Sequence, residues 1–110
     1  MNASSSSSPK TPLVSTFAGD PDMQDLVEMF VDELPERIES LRKSFEQHQF
    51  DDLKRFAHQI KGAGGGYGYP VLTTAARELE QAVAADLDME SISKSLDELV
   101  LLCERACLAA

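Results

Sequence analysis

Apolar residues recur at helical spacing in four successive stretches of this chain, and no segment alternates apolar with polar residues as a half-buried strand would. Leu26, Val27, Phe30, Leu34, Ile38, Leu41 and Phe45 form the first stripe. Leu53, Phe56, Ile60, Ala63 and Tyr67 form the second, and Val71, Leu72, Ala75, Ala76, Leu79 and Val83 the third. Ile92, Leu96, Leu99, Val100 and Cys103 complete the set. Short connections between the stripes place successive helices antiparallel. The expected fold class is therefore all-α, an up-down antiparallel four-helix bundle that buries the four stripes against one another. Pro35 falls inside the first stripe, yet the apolar phase continues through it. The N-terminal helix is accordingly expected to be kinked or split there, the kinked form being preferred.

The boundaries follow from local chemistry. Residues 1–19 are rich in Ser and Pro and read as a disordered tail, and residues 20–110 read as the bundle. Asp20 before Pro21 suits a helix start, because Asp can cap it and Pro fits the first helical position. A second helix runs from about Phe50 to Tyr67, with Asp51 and Asp52 complementing the positive end of its dipole. Gly68-Tyr69-Pro70 ends it and Pro70 opens the third. Asp86-Leu87-Asp88 turns the chain into a last helix that runs to about Cys107. The Met1 start and the tail suit a free-standing protein.

With 110 residues the chain is one domain, and 43% hydrophobic against 26% charged residues is ordinary for a globular one. Its net charge of −9 argues against nucleic acid and anionic membrane surfaces, both of which attract clustered Lys and Arg. No apolar run approaches the ~20 residues of a membrane span, and the N-terminus lacks a signal-peptide core. A cytoplasmic location is expected. Cys103 and Cys107 stand without a Cys or His cluster, so burial as small apolar residues is preferred to a metal or redox role.

The second helix carries the chemistry. At about 100° per residue, His58 points away from the apolar stripe, on a face with Asp51, Lys54, Lys61, Gly62 and Gly65. A solvent-facing imidazole thus has a lysine one turn along and glycines where bulkier neighbours would shield it. Glycine inside a helix costs roughly 1 kcal/mol relative to alanine, and this helix holds several, which suggests that something large must reach the ring. Gly64 and Gly66 point toward the core or its flank, where close packing is the simpler explanation. His48 has no motif around it and reads as structural.

His58-Gln59-Ile60-Lys61-Gly62-Ala63 resembles the His-x-(Leu/Ile)-Lys-Gly-(Ala/Ser) signature of histidine-containing phosphotransfer (HPt) domains. The likeness extends roughly from Met23 to Cys107, through the acidic amphipathic helix, the Gly-Tyr-Gly turn after the motif and Leu79-Glu80 in the next helix. It implies a small helical bundle that carries a phosphoryl group on His58 in a multistep, two-component phosphorelay, between aspartates of receiver domains. The partners implied are receivers of response regulators and of a hybrid histidine kinase. The resemblance places Glu80 near the second ring nitrogen, where it would orient the imidazole. It implies no cofactor of the chain's own, with magnesium belonging to the receiver. A monomer is expected.

Imidazole is nucleophilic when neutral, and its ordinary pKa near 6.5 allows that at neutral pH. Lys61, one turn from His58, could meet phosphoryl oxygens or an acidic partner. Lys54, Gln59, Gly62 and Gly65 would frame the contact surface. The chain is not expected to be an enzyme with ATP-dependent kinase activity, because it lacks the Gly-x4-Gly-Lys-(Ser/Thr) phosphate loop and the strand that would precede it. His58 has no His or Cys at i+3 or i+4, so no metal site is expected either. The alternative is an acidic helical module that docks a receiver or kinase without carrying phosphate.

Overall fold

The computed structural model describes residues 12–107, apart from the side chain of Cys107. Four helices form the bundle: α1 (Pro21–Glu46), α2 (Phe50–Gly66), α3 (Pro70–Ala84) and α4 (Met89–Arg105). Two short strands, β1 (Leu13–Val14) and β2 (Ala106–Cys107), pair in parallel where the chain enters and leaves the bundle. The fold is the all-α four-helix bundle expected from the stripes. Phe30 pairs with Tyr67 and Phe45 with Phe50, so α1 and α2 run antiparallel; Gly64 faces Leu72 while His58 meets Glu80, so α2 and α3 do too.

Helix α1 starts where Asp20 Oδ1 accepts the Asp22 amide at 2.9 Å, with Pro21 at the first helical position. It then continues unbroken through Pro35, so the split form is excluded. Pro35 offers no N–H to the Val31 carbonyl, but it is exposed, so its ring takes no place in the core. The helix ends in a turn in which His48 takes a left-handed φ of 57° and sets its ring edge-on to Phe50. His48 is thus a turn residue.

The core consists mainly of aliphatic side chains from all four helices, with Val27, Leu41, Leu53, Leu72, Leu79, Leu99 and Val100 fully buried. Each such leucine or valine stabilises the fold by about 1.5–3 kcal/mol through burial. Near the entry end, Phe30 stacks on Tyr67 with ring centroids 5.0 Å apart and lies 5.8 Å from the buried Tyr69. Cys103 is a free, buried thiol, and burial pushes its pKa up to about 12. That matches its expected role as a small apolar residue.

Two boundaries differ from the expectation. Residues 12–19 are not a disordered tail; the rest of that expected tail, residues 1–11, lies outside the described residues. Leu13 and Phe17 pack against the core, and Ser15 is buried. The Ser15 hydroxyl donates to the Tyr67 carbonyl at 2.7 Å, and the Thr16 amide donates to the Gly68 carbonyl at 2.8 Å. This strap crosses the α2–α3 turn, where Gly68 adopts φ 90° and a methyl group would overlap the Ser15 hydroxyl. At the other end, α4 stops at Arg105 rather than Cys107, because Ala106 turns extended to pair with Leu13.

Candidate functional site

Helix α2 buries Leu53, Ala57, Ile60 and Gly64. Phe56, Ala63 and Tyr67, expected at the centre of its core face, are only half-buried. The face is rotated toward its small residues because α3 packs closely against them. A Cβ on Gly64 would lie 3.1 Å from Leu72 Cβ and 3.2 Å from the Thr73 amide nitrogen. This close seam between α2 and α3 brings the polar groups together one to two turns away.

His58 stands on the outer edge of the seam with its side chain 64% exposed. Its Nδ1 lies 2.9 Å from Glu80 Oε2, and Lys61 Nζ lies 2.7 Å from Glu80 Oε1. One carboxylate on α3 therefore engages both polar groups of α2. An ionised carboxylate only accepts hydrogen bonds, so this contact requires the proton on Nδ1. Nε2 then keeps its lone pair. The Lys61 hydrogen bond holds the Glu80 carboxyl below its ordinary pKa, against partial burial, which pushes it up; the His58 bond adds to the lowering.

The remaining expected positions divide. Gly62 is exposed, and a Cβ there would meet nothing within 4 Å, so it leaves open space beside His58. Gly65 is exposed too, but its Cβ would come within 3.3 Å of Thr73 Oγ1, so it also serves the helix seam. Gly66 is exposed with nothing within 4 Å, not turned toward the core as expected, whereas Gly64 is buried. Gln59 lies in a groove against α1 with Glu33, Glu36, Arg37, Ser40 and Phe56, away from Glu80. Lys54 lies one turn before His58, outside the Lys61–Glu80–His58 cluster. Among the described residues, no group of three or more His, Cys, Asp or Glu could hold a metal ion.

A family model described as Hpt domain matches residues 25–108. The chain belongs to the Hpt domain family. Hpt domains serve histidine phosphotransfer in phosphorelays, where they interact with receiver domains, and they are phosphocarriers rather than kinases. No curated protein and no solved structure matches the chain. Among the described residues, no helix of this Hpt domain is long and apolar enough to cross a membrane.

Two residues of the site escaped sequence reasoning. The Thr73 hydroxyl donates to the Lys61 carbonyl at 2.8 Å, and Ser15 braces the turn that follows α2. Thr73 had a usable signal: it lies two turns before Glu80 on the same face of α3.

Proposed function

We propose that this Hpt domain takes a phosphoryl group from the aspartate of one receiver domain onto Nε2 of His58 and passes it to the aspartate of another. The observation that carries this reading is the Glu80 bond to Nδ1, which directs the lone pair of an exposed ring to Nε2. The lone pair attacks the phosphorus of the aspartyl phosphate. An N–P bond forms as the P–O bond to the aspartate breaks, and the aspartate leaves as a carboxylate. No proton needs to move. The ring gains positive charge while Nδ1–H stays bonded to Glu80, whose negative charge offsets it. The return step runs the same path backwards.

Receivers of a hybrid histidine kinase and of response regulators are the fitting partners, meeting a monomer in the cytoplasm. Magnesium belongs to the receiver's acidic pocket, and this chain supplies no cofactor site of its own. Gly62 lets the partner's backbone approach the ring, while Lys54 and Gln59 flank the contact. Transfer then depends mainly on positioning and charge balance, as phosphoryl chemistry generally does.

The test is phosphorylation by a kinase and its receiver, followed by mass measurement. One phosphoryl group is expected, labile in acid and stable in base. His58→Gln should fold as the wild type does, since an exposed side chain contributes little to stability, and should accept nothing. Label retained by that variant would refute the assignment, whereas a variant that still signals without any label would favour the docking-module reading.

A further inference from the structure

Lys61 is fixed to α3 at both ends. Its carbonyl oxygen accepts the Thr73 hydroxyl at 2.8 Å, and its ammonium meets Glu80 Oε1 at 2.7 Å. Thr73 and Glu80 share one face of α3, two turns apart. The other Glu80 oxygen holds His58 Nδ1 at 2.9 Å. The lysine side chain is 30% exposed and the glutamate 21% exposed, against 64% for the histidine. The ammonium is thus folded back into the seam rather than extended toward the surface that a partner would meet.

We infer that Lys61 is a positioning residue that acts through Glu80: its ammonium holds the carboxylate in place, and the carboxylate in turn holds the His58 ring with Nε2 outward. The ammonium hydrogen bond favours the charged form of Glu80 and fixes one of its oxygens, whereas a neutral imidazole brings no charge of its own. The groups that act on the Glu80 carboxyl are Lys61 and His58, both on α2, with none contributed by α3 or α4 among the described residues. An amide at position 80 could still accept from Nδ1, but it would give Lys61 no charge to hold. Direct contact of Lys61 with the phosphoryl group, or with an acidic partner, would first require it to leave Glu80.

The kinetic arm of the test rests on the phosphocarrier reading; the spectroscopic arm does not. Lys61→Met keeps the aliphatic stem and removes the charge. It is compared with Glu80→Gln, with the double variant, and with Lys61→Arg as the charge-retaining control. Circular dichroism confirms the fold of each. In single-turnover transfer from a phosphorylated receiver, Lys61→Met should slow the wild type about tenfold, the size of one lost charge-assisted hydrogen bond. In the Glu80→Gln background the same change should cost about twofold or less, because coupled residues are not additive. Lys61→Arg should restore most of the rate. Equal slowing in both backgrounds would overturn the inference and assign Lys61 to the phosphoryl group or the partner.

Nitrogen NMR of the His58 ring in the free protein decides independently. Wild type should show Nδ1–H, and Lys61→Met a mixture of tautomers. The Glu80 carboxyl should also protonate at higher pH in that variant. An unchanged tautomer together with an unchanged carboxyl titration would overturn the inference, even if no receiver proved able to load the protein.

Discussion

Alanine substitution along the acceptor helix should separate its glycines by the space each one faces. At Gly62 a Cβ meets nothing within 4 Å, so Gly62→Ala should gain the full helix-propensity difference, up to about 1 kcal/mol. For a domain of this size that is a rise in Tm of about 4–8 °C. At Gly64 the new methyl would lie 3.1 Å from Leu72 Cβ and 3.2 Å from the Thr73 amide nitrogen. Neither atom can swing aside, so the start of α3 must move, at an overpacking cost of about 1–3 kcal/mol. The propensity gain is common to both sites and cancels in the comparison. Gly64→Ala should therefore be about 1–3 kcal/mol less stable than Gly62→Ala. Gly65 is intermediate, since its methyl would crowd only Thr73 Oγ1, at 3.3 Å. Turning that hydroxyl away forfeits its bond to the Lys61 carbonyl, about 1 kcal/mol, which offsets the propensity gain and leaves Gly65→Ala near neutral. Urea unfolding at constant slope measures all three. Equal stability of Gly62→Ala and Gly64→Ala would refute the close seam, and with it the account of how Glu80 reaches His58.

The other expectations concern the strap, the carboxylate, the open surface and the nucleotide. Ser15→Ala leaves the Phe17 amide and the Tyr67 carbonyl without the hydroxyl they share, and should cost about 1–3 kcal/mol; an unchanged urea midpoint would show that the strap contributes nothing. The folded-state pKa of Glu80 is lowered, so its contribution to stability is complete above the unfolded carboxylate value of about 4.3 and is lost as pH falls through the lower folded value. The stability difference between wild type and Glu80→Gln should therefore shrink as pH falls below the unfolded carboxylate value and through the lower folded one, and a difference independent of pH would contradict the ion pair. Gly62→Gln should keep the fold while slowing transfer, on the order of a hundredfold if reacting atoms are displaced by about 1 Å. Labelled ATP with magnesium alone should leave the pure chain unmodified, and robust self-labelling would move it into the enzyme class.

The four helices were legible in the sequence because their stripes are long and regular, and the solvent-facing position of His58 followed from the same geometry. What the helical wheel misplaced is the centre of the α2 core face. Reading by apolar size selects Phe56 and Tyr67, whereas the closest helix contact selects Ala57 and Gly64, which bury little area of their own but let backbones meet. The proximity of Glu80 to His58 came only through family likeness, since contacts between helices depend on packing that spacing along one chain does not encode. Residues 12–19 were hidden by composition. The serines before them suggest disorder, but Leu13, Val14 and Phe17 supply the apolar contacts and the strand that disorder would lack.

The same details explain how an acceptor helix can be bare and still be placed accurately. Three successive glycines, Gly64 to Gly66, make the end of α2 a poor helix on propensity alone. Its conformation is instead held from outside by the Leu72–Thr73 seam against Gly64, the Thr73 hydroxyl on the Lys61 carbonyl, and the strap on Tyr67 and Gly68. All of these contacts lie on the inner side of the helix or beyond its end, and none covers His58 or Gly62. Side chains that would have stiffened α2 by themselves would also have stood in a partner's path. Moving that support to α3 and the N-terminal strap leaves the outer face open while Glu80, on the braced helix, still sets the direction of the ring.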